Sequence, residues 1–540
     1  MMRRAHQQGQ APRLEPEALH GLTVPGLLHQ RAAWHPNRLA LSVPSARGPR
    51  DRLSYAQLVR QMEALAAELH RLGLRPGARV MLLLSNDHAR EGVLTALACW
   101  RLGAAVAPVN LRASDEELRH AMGLVEPAMV VVAAADLARF ATLGTPARPL
   151  VTGGDAGSAT PWPEPEALAA ADEAPVPLPD PEALSCLLFT SGTTARSKAV
   201  MHCHRSQLFT GYAISGAVGL RPDDVYQGAW PLFTSSVLNM ACMGGWVAGC
   251  SVALEGAARD EETRLALIAA ERATVYHGVT SVLHFLIDAY RPERHDLSSV
   301  RRIAYGGATM PAEVIDKMRR RLPSADQLHI WGMTESGPAG TFLPPHYLPR
   351  KAGCIGGPMP LCAVRAVDAG GAPLPVGEAG ELAFAGPSMA QGYFRNPEAT
   401  AAAFRDGWLM TGDMVRMDAE GHFHFVDRLK DIINRGGVKI SSAAVEEVLY
   451  RHPAVQEAAV VAAPHDRLGE DVAACVVLHP GAAVEPDTLE THCRALLADF
   501  QCPRRWLFLD ALPKNPMGKI LKRDLREMLE RAPQPTGSGG

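Results

Sequence analysis

Residues 190–198 of the chain read TSGTTARSK, and they follow directly on the apolar run 184–189, LSCLLF. The apolar run predicts a buried strand, so the polar stretch is expected to form a loop at the end of that strand. The loop offers hydroxyl groups, a glycine that lets backbone N–H groups approach a ligand, and two cations, which together can hold a polyphosphate. It is not a Walker loop, because GxxxxGK followed by Ser or Thr does not occur in the sequence. Taken alone, the same composition also fits an ordinary polar turn.

Upstream of this loop, helical and strand patterns alternate. Apolar residues recur at helical spacing through 58–72, and 79–84 reads as a buried strand. A second helix is expected at about 90–102, followed by strands at 104–108 and 128–132. This alternation predicts an α/β fold whose sheet is mostly parallel.

The pattern changes near the C-terminus. A strand-like segment at 422–426 is followed by DRLKD at 427–431, by a glycine pair, and by a helical segment at 443–452. We expect a boundary at 427–431, because about a hundred residues then remain, a usual size for a small α+β domain. The expected parts are an N-terminal domain at 1–426, a hinge at 427–431, a C-terminal domain at 432–530 and a disordered tail at 531–540.

Composition narrows the class of protein. The 540 residues suffice for several folding units. Hydrophobic residues make up 47% of the chain and charged residues 21%, which is ordinary in globular proteins and excludes a wholly disordered chain. Lys+Arg 54 against Asp+Glu 57 gives a net charge of −3, too small to hold nucleic acid through a global field. An anionic ligand therefore has to be held locally. The ten cysteines are spread from Cys99 to Cys502, which favours reduced, buried thiols over a disulfide framework.

Two features bear on localisation. Residues 1–4, MMRR, are not followed by the apolar core of a signal peptide, so the expected compartment is the cytoplasm. Residues 225–254 carry no charge over a length that could span a bilayer. Pro231, Asn239 and the pair Gly244-Gly245 interrupt this run, so a buried helix and strand are expected instead of a membrane span.

Seven further motifs follow the polar loop. They are YGGATMP at 305–311, WGMTE at 331–335, GEL at 380–382, GY at 392–393, WLMTGD at 408–413, DRLKD at 427–431 and PKNPMGK at 513–519. With the loop, this ordered series resembles the adenylate-forming (AMP-binding) superfamily, and within it the acyl-CoA synthetases and fatty-acid–CoA ligases, over about residues 20–530. Any single motif would be a weak signal, whereas the series together is strong.

The resemblance implies a fold and a reaction. The fold is α/β, with a large multi-layer N-terminal domain of mixed, largely parallel sheets and a small mobile α+β C-terminal domain. In the reaction, ATP and a carboxylate give an acyl-adenylate and pyrophosphate, and the thiol of coenzyme A then takes the acyl group. Adenylation gives the carboxylate a good leaving group, which divides a difficult reaction into two easier steps. ATP, Mg²⁺ and coenzyme A are the expected cofactors and co-substrates.

The resemblance also implies roles for single residues. Thr334 would bond the α-phosphate, Glu335 would bind Mg²⁺, and the ring of Trp331 would stack on adenine. Asp413 would accept both ribose hydroxyls, with support from Arg428. The residues expected to bind the nucleotide or coenzyme A are Thr190, Ser191, Gly192, Thr193, Thr194, Lys198, Gly307, Ala308, Trp331, Gly332, Met333, Asp413, Arg428, Lys430, Gly436 and Gly437.

Lys519 is expected to act most directly in the first step. Its ammonium would stabilise charge on the transferring phosphoryl group and on the entering carboxylate. Lys430 lies at the family's hinge position, about which the small domain would rotate. Gly436 and Gly437 would then replace Lys519 and line a pantetheine tunnel. Three neighbouring cations are expected to be solvated surface residues, namely Lys514, Lys522 and Arg523.

The segment PLFTSS at 231–236 resembles the family's gate to the carboxylate pocket. Amino-acid-activating relatives carry Asp where this chain has Thr234, and threonine cannot neutralise an ammonium group, so an amino acid substrate is disfavoured. The other pocket candidates are mostly small or apolar, which fits an alkyl, alicyclic or aryl acid without fixing its length. The expected pocket comprises Phe233, Thr234, Val237, Leu238, His277, Gly306 and Thr309.

Ordinary structural roles remain open for some of these residues. His277 and Trp331 are equally consistent with core positions, and Gly436-Gly437 with a plain turn. The run His202-Cys203-His204 has the composition of a zinc site, but adjacent side chains point apart and no second ligand pair has metal spacing.

The acceptor and the assembly are also open. The phosphopantetheine of an acyl carrier protein is the alternative acceptor to coenzyme A, and the chain is expected to be a monomer or a homodimer. A non-catalytic binding relative is a further alternative. It is favoured only by Ala195, Ser197 and Ala199, which stand where the family usually has Gly, Pro and Gly.

Overall fold

The computed structural model describes residues 23–45, 48–164, 176–190, 197–257, 260–307, 310, 312–348, 350–351, 353–514 and 520–531. The chain divides into two compact units. The larger comprises Met1–Val364 with Phe384–Leu409, and the smaller comprises Arg365–Ala383 with Met410–Gly540. The predicted α/β fold, with a large N-terminal part of mixed sheets and a smaller C-terminal part, is confirmed.

One sheet of the larger unit is built from strand–helix–strand repeats. The helices Ala89–Arg101 and Asp115–Val125 each connect two of its parallel strands. Only the last strand pairs antiparallel with its neighbour. In spatial order the strands are Thr160–Pro161, Arg148–Thr152, Met129–Ala133, Arg79–Leu83, Ala105–Pro108, Leu184–Thr190 and Lys198–Cys203.

A second sheet of the larger unit is also mixed. Its central strands run parallel, while the strands at both ends pair antiparallel. In spatial order they are Gly48–Ser54, Leu39–Ser45, Ser251–Leu254, Val225–Gly228, Val275–Val279, Arg302–Gly306, Asp326–Gly332, Gly340–Leu343 and Cys354–Pro358. The remaining longer helices of this unit are Val24–Trp34, Tyr55–Arg71, His204–Val218, Glu261–Glu271, Thr280–Ala289 and Ala312–Arg321.

The helix Tyr55–Arg71 illustrates how local sequence specifies an element. The side chain of Ser54 caps the N-terminus by accepting a hydrogen bond from the backbone N–H of Gln57. The side chain of Gln57 in turn accepts a hydrogen bond from the backbone N–H of Ser54. The apolar residues at helical spacing, from Leu58 to Leu69, are fully buried in the largest core cluster. The helix predicted from the spacing at 58–72 is confirmed.

The uncharged run 225–254 lies inside the larger unit. It forms the strands Val225–Gly228 and Ser251–Leu254, a π-helix at Ser236–Cys242 and a short helix at Met243–Ala248. The buried helix and strand expected there are confirmed. Among the described helices, none combines the length and the apolar character needed to cross a bilayer.

The smaller unit has α+β character. Its four-stranded antiparallel sheet, in the order Val438–Ile440, Ile433–Arg435, Gly469–Leu478 and Val455–His465, is extended by Arg505–Phe508. The helices Ser442–Tyr450 and Pro486–Leu496 pack in one core cluster with this sheet, and Lys522–Arg531 packs in another.

The division into units differs from the predicted domain limits. The smaller unit begins with 365–383 and 410–426, which include most of the antiparallel strand Trp408–Met417, instead of beginning after 431. The compact units are defined by which residues pack together, and packing does not test motion about a hinge. The hinge at 427–431 therefore stays a prediction.

Candidate active site

The predicted phosphate loop joins two paired strands. Leu184–Thr190 and Lys198–Cys203 run antiparallel, and Thr190 is the register partner of Lys198. The sheet therefore fixes both ends of the loop, where these two side chains are half-buried. The other predicted phosphate ligands, Ser191, Gly192, Thr193 and Thr194, lie outside the described residues, as do Ala308 and Thr309.

Lys198, Tyr393 and Glu335 form one cluster in the larger unit. The ammonium of Lys198 lies over the ring of Tyr393, 4.9 Å from its centroid. The hydroxyl of Tyr393 donates a 2.9 Å hydrogen bond to Oε1 of the buried Glu335. Burial, together with the adjacent carboxylate, raises the pKa of Tyr393, so the phenol remains protonated as a donor. One aromatic ring thus separates the end of the phosphate loop from the predicted Mg²⁺ ligand.

The backbone at Thr334 is held by the strand that leaves the phosphate loop. Nε2 of His202 lies 2.8 Å from the carbonyl oxygen of Thr334, and because a carbonyl only accepts, Nε2 carries the proton. Burial lowers the pKa of His202 to about 4, so the ring is neutral near pH 7. Oγ of Ser235 lies 3.4 Å from Oγ1 of Thr334. These contacts place the predicted carboxylate gate beside the predicted α-phosphate ligand.

Glycine is required at three predicted positions. A Cβ on Gly306 would lie 2.2 Å from the carbonyl oxygen of Ile330, and one on Gly332 would lie 2.3 Å from that of Pro338. Gly307 has φ +84°, a conformation that side chains other than glycine rarely adopt. Larger residues at Gly306 and Gly332 would force neighbouring backbone apart, whereas at Gly307 a larger residue would strain its own backbone.

These glycines lie where two parallel strands end. The two neighbouring strands are Arg302–Gly306 and Asp326–Gly332. At the end of the second strand, the side chains of Trp331 and Met333 are half-buried. Ligands of open α/β sheets bind beyond the carboxyl ends of such strands. The predicted adenylate residues of the larger unit therefore lie at an edge suited to a ligand.

The predicted carboxylate gate is anchored by Asn86. Its amide donates a 2.8 Å bond to the carbonyl of Trp230, and its oxygen accepts a 2.8 Å bond from the N–H of Leu232. The hydroxyl of Thr234 donates to the carbonyl of Pro231 at 2.8 Å, so Thr234 stabilises the turn at this segment. The gate is thus a defined turn.

The predicted pocket residues fall into two groups by exposure. Phe233 and Thr234 are half-buried, whereas Val237 and Leu238 are fully buried in the π-helix Ser236–Cys242. Full burial is what core residues show, so direct contact of the last two with a substrate stays a prediction.

His277 has the environment of a core histidine. Its Nδ1 lies 2.7 Å from the hydroxyl of Tyr226, and its ring meets that of Trp230 edge-on. Burial lowers the pKa of His277 to about 3, which keeps the ring uncharged. Its predicted contact with the acid is untested.

In the smaller unit, Asp413 and Arg428 lie together. They are register partners on antiparallel strands, and Nε of Arg428 lies 3.3 Å from Oδ1 of Asp413. Glu381 accepts a 2.8 Å bond from the N–H of Gly412, so the GEL motif holds the backbone that presents Asp413. The two predicted ribose ligands are therefore adjacent.

The glycine pair forms the turn of a hairpin. Gly436 and Gly437 have φ of +58° and +91°, and they connect the antiparallel strands Ile433–Arg435 and Val438–Ile440. Positive φ at both residues is typical of a two-residue hairpin turn. The turn is exposed, as is Lys430, and the roles in coenzyme A binding and in hinge motion stay predictions.

Lys519 lies outside the described residues, but both ends of its loop are described. Lys514 and Ile520 form a β-bridge, and Lys514 is also ion-paired with Glu457. The described residues on either side of 515–519 are therefore paired with each other.

The prediction that Lys522 is a solvated surface residue is wrong. Its Nζ lies 2.7 Å from Oε1 of Glu446 and donates a 2.6 Å bond to Oγ of Ser442, which leaves the side chain 16% exposed. The carboxylate and the hydroxyl draw the ammonium inward. Arg523 is 68% exposed, as predicted.

Among the described residues, no three or more His, Cys, Asp and Glu side chains converge. His202 and His204 are buried individually. All ten cysteines are free, and burial raises the pKa of those beside the site, such as Cys186 and Cys242. They are structural thiols.

Comparison with known families agrees with this geometry. Residues 28–394 match the model of the AMP-binding enzyme, and residues 444–519 match that of the AMP-binding enzyme C-terminal domain. The chain belongs to the AMP-binding enzyme family. The recognition of an adenylate-forming protein is thereby confirmed.

Relatives of this AMP-binding enzyme include CoA ligases. It is 35% identical over 475 residues to a feruloyl-CoA synthase from Amycolatopsis sp, covering 88% of this chain and 93% of that protein. It is 30% identical over 507 residues to an indoleacetate–CoA ligase from Aromatoleum aromaticum, covering 93% and 98%. An o-succinylbenzoate CoA synthetase from Bacillus subtilis, solved with its acyl-adenylate intermediate, has a TM-score of 0.82 at 27% identity, covering 95% of this chain and 99% of that one. The expected adenylate-forming CoA ligation is supported by these relatives.

Sequence reasoning missed several residues that shape the site of this AMP-binding enzyme. The GY motif assigns no role to Tyr393, and the sequence presents His202 only as a candidate zinc ligand. Asn86 lies far upstream of the segment it anchors. For His202 a signal existed, because a histidine four residues beyond Lys198 on one strand lies on the same face as that lysine.

Proposed function

We propose that this chain is an AMP-forming carboxylic acid–CoA ligase. The observation that carries the proposal is the cluster of Lys198, Tyr393 and Glu335. It places a cation from the end of the phosphate loop over the face of one ring and a buried carboxylate at the hydroxyl of the same ring. Such a site suits a polyphosphate with its divalent metal. In a site for an anion alone, the carboxylate would repel the ligand.

The residues present fit Mg²⁺ delivered with a nucleotide. Mg²⁺ is usually bound by one or two carboxylates together with substrate phosphates, and Glu335 supplies a hard oxygen donor. In the described ranges no cluster could cage a metal alone, so the phosphates would supply the remaining ligands. When bound, Mg²⁺ neutralises charge on the phosphate oxygens.

In the first step, an oxygen of the substrate carboxylate attacks the α-phosphorus of ATP. The new O–P bond forms as the bond to the β-phosphate oxygen breaks, and pyrophosphate leaves. Thr334 would donate to the α-phosphate, and Lys519 would place its positive charge between the phosphoryl group and the entering carboxylate. His202 fixes the backbone that carries Thr334.

The adenosine part would be held by an aromatic ring and by a carboxylate. Trp331 would stack on adenine, and Asp413 would accept from the ribose hydroxyls beside Arg428. A carboxylate offers two acceptor oxygens, which matches two vicinal hydroxyls.

In the second step, the thiol of coenzyme A attacks the acyl carbon of the adenylate. The C–S bond forms as the thiol releases its proton to solvent, the C–O bond to AMP breaks, and AMP leaves. Rotation about Lys430 would withdraw Lys519 and bring Gly436 and Gly437 to the pantetheine arm.

We further propose an aryl or arylalkanoic acid as the preferred substrate class. The gate carries Phe233 and Thr234. Both side chains are uncharged, so neither can pair with the ammonium group of an amino acid. Relatives named for ferulate, indoleacetate and succinylbenzoate all act on acids that carry a ring. Apolar lining rewards the burial of such a ring.

The test is pyrophosphate release with ATP and Mg²⁺ across aryl, alicyclic, fatty and amino acids, with and without coenzyme A. Release with aryl acids and a CoA thioester as product is the expected result. Release followed by transfer only to a phosphopantetheinylated carrier protein would favour the carrier-loading alternative. ATP binding without release from any acid would favour the non-catalytic alternative.

A further inference from the structure

Tyr393 contacts the two charged groups that the proposed function assigns to the nucleotide. Its hydroxyl donates to Oε1 of Glu335 at 2.9 Å, and its ring lies 4.9 Å from the ammonium of Lys198. We propose that Tyr393 is a positioning residue for Mg²⁺·ATP: its hydroxyl orients the Glu335 carboxylate, and the face of its ring holds the Lys198 ammonium. This inference rests on the proposed function.

The backbone gives Tyr393 a fixed position relative to the phosphate loop. Tyr393 forms an antiparallel bridge with Val200, two residues beyond Lys198. On either side, the N–H of Met201 donates to the carbonyl of Gly392, and the N–H of Phe394 donates to the carbonyl of Ala199. The segment around Tyr393 therefore extends the edge of the strand Lys198–Cys203. A movement of that strand would move the ring with it.

A second set of bonds fixes Tyr393 relative to Glu335. The N–H of Ala390 donates a 2.9 Å bond to the backbone carbonyl of Glu335, and the hydroxyl of Tyr393 reaches its side chain. The N–H of Tyr393 donates to Oγ1 of Thr400 at 2.9 Å. The short segment 390–393 thus joins the strand from the phosphate loop to the loop that carries the predicted metal ligand.

The chemistry of a phenol explains why tyrosine suits this position. A direct pair between Lys198 and Glu335 would neutralise both charges and leave less of each for a ligand. A phenol donates one hydrogen bond to a carboxylate and leaves its negative charge intact. The face of the same ring attracts an ammonium through its quadrupole. Tyrosine can therefore position both groups without itself neutralising the charge of either one.

Two variants separate the hydroxyl from the ring. Tyr393→Phe keeps the ring over Lys198 and removes the bond to Glu335, whereas Tyr393→Leu removes both. The readout is binding, measured by calorimetry and by the ATP-dependent shift of the unfolding midpoint, at a series of Mg²⁺ concentrations and in EDTA. Tyr55→Phe is the matched control, because the hydroxyl of Tyr55 donates a buried 2.9 Å bond to the carbonyl of Cys250, outside the site.

For Tyr393→Phe we expect the Mg²⁺ concentration at half-saturation to rise about tenfold, with metal-free ATP binding unchanged, since one bond to a charged group is lost. Tyr393→Leu should in addition weaken metal-free ATP binding by about threefold. Tyr55→Phe should lower the unfolding midpoint and leave the Mg²⁺ requirement unchanged.

An unaltered Mg²⁺ requirement in folded Tyr393→Phe would overturn the inference. Equal weakening of ATP binding with and without Mg²⁺ would also overturn it, because that outcome describes a general loss of packing. Failure of the proposed function is distinguishable: it would appear in the unmodified protein, as absence of Mg²⁺-dependent ATP binding and of pyrophosphate release.

Discussion

The carboxylate of Glu335 in the larger unit and the ends of the Lys519 loop in the smaller unit are fixed in different ways. Glu335 is buried, and it is held by Tyr393, which is 58 residues away in the chain. The Lys519 loop is instead flanked by two cations close in sequence, Lys514 and Lys522, each paired with a carboxylate.

This difference indicates how each unit would respond to substitution. Changes in the larger unit should alter the geometry at which a ligand is held, because segments distant in sequence hold Thr334 and Glu335. Changes at Lys514 and Lys522 should alter how Lys519 is presented, because these paired residues flank it in sequence. Substitutions in the two units should therefore separate binding of Mg²⁺·ATP from the adenylation step.

The largest expected effect is on Lys519. Lys519→Ala should slow adenylation by about 10²–10³-fold, the usual cost of removing one preorganised electrostatic contact. Conversion of a supplied acyl-adenylate to the CoA thioester should change by less than about threefold, because Lys519 would be withdrawn in that step. Single-turnover assays of each half-reaction measure both. Equal loss of the two half-reactions would contradict the assignment of Lys519 to the first step.

Acid should destabilise the larger unit through His202. Its folded pKa of about 4 lies below the ordinary value of 6.5, so the folded state binds fewer protons than the unfolded state between these values. The free energy of unfolding should therefore fall as pH drops from 6.5 to 4, by roughly 3 kcal/mol for this ring alone. His202→Gln keeps an N–H donor for Thr334 and should reduce that fall. Identical pH slopes in chemical denaturation of the two proteins would refute the account of His202.

Asp413→Asn tests the ribose site of the smaller unit. The substitution keeps one acceptor oxygen but removes the charge beside Arg428, so ATP affinity should fall about tenfold. Asp418→Asn is a suitable control. Asp418 belongs to the following turn, where its side chain accepts hydrogen bonds from the backbone N–H groups of Glu420 and His422. Isothermal titration with ATP compares them. An unchanged ATP affinity in Asp413→Asn would remove Asp413 from the site.

The smallest expected effect is on stability at Lys522. Lys522→Met should cost about 1–2 kcal/mol, because Glu446 loses the cation that opposes the desolvation of its carboxyl. Burial already raises the pKa of Glu446 above 4.5, and loss of Lys522 would raise it further. The folded state then binds more protons than the unfolded state, so the free energy of unfolding falls as pH rises above 4.5. The penalty should be larger at pH 7 than at pH 4.

Arg523→Met is the matched control for Lys522→Met. Arg523 is the adjacent cation on the same helix and is mainly exposed, so its loss should change the free energy of unfolding by less than about 0.5 kcal/mol. Equal effects of the two substitutions, or a Lys522→Met penalty that does not depend on pH, would show that Glu446 does not depend on Lys522.

Local patterns predicted much of the fold. The helix Tyr55–Arg71 follows from apolar spacing and from a capping pair adjacent in sequence. The run 225–254 is predicted as a buried helix and strand, because its proline and paired glycines interrupt a long membrane helix. The structure confirms that prediction. Such features depend on neighbours within a few residues, which the sequence displays directly.

The contacts of the site depend on tertiary packing, and the sequence could not supply them. Nothing near Glu335 indicates that its partner is Tyr393, and nothing near Lys522 indicates that Glu446 would draw it inward. A lysine in a basic segment is generally expected at the surface, but here the half-buried carboxylate of Glu446 draws Lys522 inward. The motif series pointed to Lys198, Glu335 and Asp413 as site residues, but it did not reveal what orients them.

The measurement that tests the central claim most directly is the stoichiometry of products from ATP, coenzyme A and an aryl acid, followed by ³¹P NMR and mass spectrometry. An AMP-forming acid–CoA ligase predicts one acyl-CoA, one AMP and one pyrophosphate for each ATP consumed. Formation of ADP and inorganic phosphate, or consumption of ATP without a thioester from any acid, would contradict it.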